Sequence, residues 1–157
     1  MIFIDTSALV KPYLREPGEH TVRTVLKKGA REIFISNHVA LEVAATFAYK
    51  LRAGTVDRRT YHRIRGEFFT DLPQVFQVVD VDEGTVQRAI DLADNYRVQG
   101  VGSIDLIHVA TAERLGVAKR RMPTIVCADR AMRNLASAAG FSVFNPETDD
   151  PITLAAN

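Results

Sequence analysis

A single cysteine among 157 residues leaves Cys127 without a partner for an internal disulfide, which implies a reducing compartment. No stretch approaches the roughly 20 consecutive apolar residues that span a bilayer, so a membrane helix is not expected. The apolar N-terminus has no basic segment before it and is broken by Asp5, so it does not read as a signal peptide. The expectation is a cytoplasmic protein. Internal repeats, low-complexity segments and linkers are also missing. A formal charge of +1 says nothing for or against a nucleic-acid partner, because it hides how the charges are arranged. What remains, with 46% hydrophobic and 25% charged residues, is the composition and length of one ordinary globule.

Short apolar runs alternate with helical patterns along this chain. Strands are expected at 2–4, 33–36, 75–81, 124–128 and 141–144. Between them, Ser7 to Arg15 has helical spacing that Pro12 limits or kinks. Val22, Val25 and Leu26 share a helical face that ends at Gly29. A long helix carries "HVALEVAATFAYKLRAG" and stops at Gly54, and it is apolar almost all round, which predicts burial. Asp57 can cap the next helix, with Tyr61, Ile64, Phe68 and Leu72 as its apolar stripe. Val86, Ala89, Ile90 and Ala93 mark another helix, Gly100 and Gly102 precede one at 103–115, and a last one follows Asp129. This alternation predicts one α/β domain with a mainly parallel sheet of four to five strands. It spans residues 1–145, and the Asp and Pro residues after it suggest a loose tail at 146–157.

Four acids stand in apolar settings. Asp5 follows "IFI", Glu42 lies inside "HVALEVAATFA", Asp105 lies in "VGSIDLIHVATA", and Asp129 follows "TIVCA". Carboxylates are rarely buried unless paired, because desolvating one costs so much. In open parallel sheets the ligand crevice lies beyond the carboxyl ends of the strands, where all four acids can converge. Clustered carboxylates raise each other's pKa unless a cation joins them. Oxygen donors without a Cys or His cluster favour Mg²⁺ or Mn²⁺ over zinc, and such sites usually act on phosphates. Taken singly, Asp129 and Asp105 also read as helix-terminal acids, serving as a cap or favoured by the helix dipole, and Ser7 can cap its helix in place of Asp5. Glu42, inside a helix, has no such local explanation.

At these residues the sequence resembles PIN-domain ribonucleases, specifically the VapC-type toxins of toxin–antitoxin modules. The blocks that carry the likeness are "FIDTSALVKPYLREPGE", "ISNHVALEVAATFAYKLRAG", "VGSIDLIHVATAERLG" and "TIVCADRAMRNLASAAGF". The resemblance implies a three-layer α/β/α fold and an acidic metal site at Asp5, Glu42, Asp105 and Asp129, with Ser7 beside it. It also implies Mg²⁺- or Mn²⁺-dependent RNA cleavage, homodimerisation and neutralisation by a small antitoxin. In that reading Asp5, Glu42 and Asp105 hold one metal, and Asp129 helps bind a second or orients water. Cys127 departs from the Thr or Ser that such proteins often carry two residues before the fourth acid, which puts the role of Asp129 in question. The same site would serve a PIN nuclease of RNA processing, while a non-catalytic PIN-like binding module would be expected to lack one or more of the acids. A phosphoacceptor switch would want adjacent acids after the first strand, and "FIDTS" does not supply them.

His108 reads as a hydrogen-bonded core histidine or as an orienter of a carboxylate, and His38 as a surface or capping residue. Residues 50–65 hold Lys50, Arg52, Arg58, Arg59, Arg63 and Arg65 against Asp57 alone, with Tyr61 and His62 interleaved. This is either the electrostatic footprint of a nucleic acid, with Arg58, Arg59 and Arg63 as RNA contacts, or a solvated helical face. Phe68 and Phe69 are candidates for an interface or for the core, and "KRRM" at 119–122 reads as a basic surface loop.

Overall fold

A computed structural model of the chain describes residues 1–28 and 32–155. In chain order the elements are β1 (Ile2–Ile4), α1 (Thr6–Leu9), α2 (Lys11–Leu14), α3 (Glu19–Lys28), β2 (Ile33–Ser36), α4 (Asn37–Arg52) and α5 (Arg58–Val75). They continue with β3 (Gln77–Val79), α6 (Glu83–Asn95), α7 (Ser103–Lys119), β4 (Thr124–Val126), α8 (Arg130–Ala138) and β5 (Val143–Phe144). A short 3₁₀ turn at Thr153–Ala155 follows.

The five strands form one parallel sheet in the order β3-β2-β1-β4-β5. Side chains of period two divide its faces. Ile4, Ile33, Ile35, Val126 and Phe144 join a core with residues of α1 to α5, whereas Phe3, Phe34, Ile125 and Cys127 join a second core with α6, α7 and α8. Helices therefore cover both sheet faces, as a fully buried parallel sheet requires. The chain first builds outward from β1 to β2 and β3, then crosses to β4 on the other side of β1. That reversal puts the topological switch point between β1 and β4, where such sheets open their ligand crevice.

Local chemistry explains most boundaries. The first helix breaks at Val10, and Pro12 then sits in the first turn of α2, where its missing N–H costs nothing. Asp57 caps α5 by accepting a hydrogen bond from Thr60 N at 2.6 Å. Ile64 and Phe68 are fully buried, with Tyr61 and Leu72 packed partly against the same core. Phe69 is 38% exposed, beneath the Arg65 guanidinium.

Four expectations need correction. The strand at 75–81 is shorter, because α5 runs on through Pro73 to Val75 and leaves only Gln77–Val79 in the sheet. The buried stripe of α6 is Thr85, Ala89 and Leu92, while Val86 and Ile90 face outward at 45% and 50% exposure. Helix α4 is not apolar-buried all round, since Leu41 and Tyr49 are 70% and 62% exposed. The segment after β5 is tethered rather than loose: Glu147 accepts a hydrogen bond from buried Lys11 at 2.5 Å, and Leu154 packs on the first core. Gly18, at φ 87°, fits beneath that segment because a Cβ there would lie 2.8 Å from the Pro146 carbonyl oxygen. Gly29, read as the stop of α3, lies outside the described residues.

Candidate active site

Asp5 and Asp129 follow the two strands that flank the switch point, and the connections there fix both. Asp5 caps α1: its Oδ2 accepts hydrogen bonds from Ser7 N at 2.9 Å and Ser7 Oγ at 2.5 Å. Asp129 caps α8 by accepting one from Met132 N at 2.8 Å. Ser7 Oγ joins the two connections, because it also accepts from Ala128 N at 3.0 Å and Asp129 N at 3.1 Å. Asp105, in the first turn of α7, accepts from Gly102 N at 2.7 Å. The helix-terminal readings therefore hold for Asp105 and Asp129, while α1 is capped by Asp5 and not by Ser7, which lies inside the helix. Each cap uses one face of a carboxylate and leaves acceptor capacity over.

Glu42, in the second turn of α4, is held across the sheet instead. Its Oε2 accepts from Thr6 Oγ1 at 2.7 Å and lies 2.6 Å from His108 Nε2. His108 is fully buried, with Ser36 Oγ 3.1 Å from its Nδ1 and Asp5 Oδ1 3.7 Å from its Nε2. It is thus both a hydrogen-bonded core histidine and an orienter of a site carboxylate. Ser36 stands at the N-cap position of α4 but makes no capping bond there. Thr6 was not singled out in the sequence. His38 is half-buried, with its Nδ1 2.9 Å from Oδ1 of its neighbour Asn37.

Asp5, Glu42, Asp105 and Asp129 line one open cleft of about 490 Å³, together with Ser7 and Lys50. Burial raises the Asp105 pKa, and the fields of Asp5 and Asp129 add to it, only partly offset by the Gly102 N–H. Burial also opposes ionisation of Glu42, but the His108 hydrogen bond and charge and the Thr6 hydroxyl outweigh it, so this carboxyl sits below the usual range. The His108 pKa moves the other way. Burial disfavours the imidazolium, yet the bond to Glu42 and the fields of Asp5, Glu42 and Asp105 raise it above its ordinary value. Glu42 and His108 thus lean toward an ion pair, while Asp105 carries the repulsion of its neighbours.

Among the described residues no three His, Cys, Asp or Glu side chains stand close enough to close round an ion as arranged. The donor set itself suits a hard divalent cation, since carboxylate oxygens from four elements share one cleft. Asp105 feels the charges of Asp5 and Asp129, a repulsion that a cation would relieve. Glu42 Oε1 accepts no hydrogen bond among the described residues, which leaves that oxygen for the cleft.

Cys127 is buried, with its sulfur 3.5 Å from both Asp5 Oδ2 and Ser7 Oγ. Burial, then the charge of Asp5, pushes its thiol far above the ordinary value, so it is a neutral, weak donor and no nucleophile. The Ser7 hydroxyl, 3.5 Å from the sulfur, bonds Asp5 and the backbone N–H groups of Ala128 and Asp129. Cys127→Ala should accordingly keep activity within about fivefold of wild type, given how little a thiol donor contributes, as read in a nuclease assay. A loss as large as that from removing an acid would show that the thiol positions Asp5.

Of the three arginines read as RNA contacts, none lines the cleft, and Arg63 pairs with Glu67 at 2.9 Å. Lys50, from the same basic stretch, does line it. In "KRRM", Lys119 lies over the Phe34 ring and Arg121 reaches Glu32 at 3.4 Å on the surface. No helix among the described residues is long and apolar enough to cross a membrane.

Comparison with known proteins agrees with this architecture. The chain is 31% identical over 145 residues to Ribonuclease VapC46 of Mycobacterium tuberculosis, an alignment that covers 92% of this chain and 97% of that one. Its fold matches FitAcB from Neisseria gonorrhoeae with a TM-score of 0.72 at 18% identity, covering 95% of this chain and 100% of that chain. It also matches a chain of a toxin–antitoxin complex from Klebsiella pneumoniae with a TM-score of 0.63 at 16% identity, covering 93% and 98% respectively. The PIN domain family model matches residues 2–138. With the five-stranded parallel sheet and its two helical layers, these matches establish that the chain belongs to the PIN-domain family.

Proposed function

We propose that this protein is a divalent-metal-dependent endoribonuclease that acts as the toxin of a VapBC-type toxin–antitoxin pair. The observation that carries this reading is the convergence of Asp5, Glu42, Asp105 and Asp129 on one cleft at the switch point. Its likeness to Ribonuclease VapC46 supports RNA as the substrate, and its likeness to a chain of a toxin–antitoxin complex supports a small antitoxin as partner. Homodimerisation in the cytoplasm belongs to the same proposal.

In this reading Asp5, Asp105, Asp129 and Glu42 Oε1 hold Mg²⁺ or Mn²⁺. The ion, when bound, supplies Lewis acidity at the phosphate and lowers the pKa of water. The chain's own groups do the positioning. Ser7 ties Asp5 to the connection bearing Asp129, and His108 with Thr6 fixes Glu42. Arg58, Arg59 and Arg63 draw RNA toward the protein, with a salt dependence that follows from the phosphates they neutralise.

The test is a cleavage assay over a panel of cellular RNAs with Mg²⁺, with Mn²⁺ and with chelator, run beside Asp105→Asn. Divalent-dependent cutting that the variant lacks is the expected result. No divalent-dependent cutting of any RNA would favour a binding module instead.

A further inference from the structure

The acidic cleft repels a phosphodiester, so a cation on its wall would help any RNA enter. Two lysines line it, Lys11 and Lys50. Lys11 is unsuited to meeting a substrate, since its side chain is only 5% exposed and its ammonium is committed to Glu147. Lys50 differs. It stands in the last turn of α4 and is 31% exposed, with Nζ 2.7 Å from Glu16 Oε1. Glu16, 30% exposed, lines the same cleft. A pair this open to solvent is weak enough for a phosphate oxygen to take the carboxylate's place.

We propose that Lys50 is an RNA-backbone contact inside the cleft and that Glu16 is its internal competitor, holding the ammonium until a phosphate displaces it. The proposal rests on the ribonuclease reading above and deepens it by naming how the strand is seated. Lys50 also links the cleft to the basic side of α5, because only the turn at Gly54 separates it from Arg58 and Arg59. A strand crossing the acids would then run from Lys50 onto that helix.

The pair has a signature that a structural salt bridge lacks: removing its two halves should change RNA binding in opposite directions. The measurement is the fluorescence anisotropy of a labelled single-stranded RNA of random sequence, titrated with the full chain carrying Asp105→Asn so that it is not cut. On that background Lys50→Ala should weaken binding about tenfold, the scale of one charge-assisted contact. It should also flatten the slope of log affinity against log salt by about 0.7, the share of one phosphate on a single strand. Glu16→Gln should tighten binding severalfold, and the two together should behave like Lys50→Ala.

Thermal melts of each variant separate folding defects from binding effects. Equal or weaker binding by Glu16→Gln, or an unchanged salt slope in Lys50→Ala, would overturn the assignment even if wild type cuts RNA. Absence of RNA binding by the parent would overturn this assignment and the ribonuclease reading together.

Discussion

Asp105→Asn should abolish divalent-dependent RNA cleavage while leaving the metal-free protein at least as stable as wild type. The activity side follows from the donor set. Asparagine keeps the acceptor that satisfies Gly102 N but removes the charge that draws in a cation. Losing several kcal/mol of transition-state stabilisation corresponds to a fall of about a thousandfold or more. The stability side follows from the raised Asp105 pKa, which comes first from burial and then from Asp5 and Asp129. A carboxyl raised in the folded chain contributes stability that is fully present below its unfolded pKa, about 3.9. That contribution is lost as pH rises through the raised folded value. An amide never ionises and so escapes that loss, and it should melt at an equal or higher temperature at neutral pH. Thermal melts without metal at neutral pH, beside the cleavage assay, check both halves. Parallel loss of activity and stability would mean that Asp105 serves the fold alone.

Ser7→Ala should damage stability and activity together. Ser7 Oγ accepts from Ala128 N and Asp129 N and donates to Asp5 Oδ2 at 2.5 Å, so one hydroxyl joins the ends of β1 and β4. Removing it strands two backbone donors at about 1–3 kcal/mol each where water does not replace it. With Asp129 exposed, a total of about 2–3 kcal/mol, or a melting point lower by about 5–10 °C, is the expectation. Cleavage should fall about 10–100-fold, the usual cost of losing a group that orients a metal ligand. Ser7→Thr, which keeps the hydroxyl, should recover most of both. An unchanged melting point in Ser7→Ala would show that water or Cys127 bridges the two connections instead.

The fold is legible because short apolar runs alternate with helical patterns along the chain. Phe3 against Ile4, and Phe34 against Ile33 and Ile35, already place a core on each face of a buried sheet. The apolar run at 75–81 overstates the edge strand β3 because α5 continues through Pro73 to Val75; a proline in the last turn deprives the helix of only one hydrogen bond. Asp5 and Asp129 were legible from their positions after strands, a local property. Glu42 was singled out because its helix looked buried all round, yet Leu41 beside it is 70% exposed. Its real setting consists of His108, 66 positions away, and Thr6, 36 positions away, pairings that no local pattern encodes. The Ser7 link to Ala128 spans 121 positions and was equally out of reach, although the "DTS" stretch drew notice to the residue.

The central claim is that these acids form one divalent-cation site, and calorimetric titration of Mn²⁺ into the metal-free protein tests it most directly. The account predicts saturable binding by wild type that is lost in Asp105→Asn while the variant stays folded. Absence of binding to wild type, or equal binding by both proteins, would contradict it.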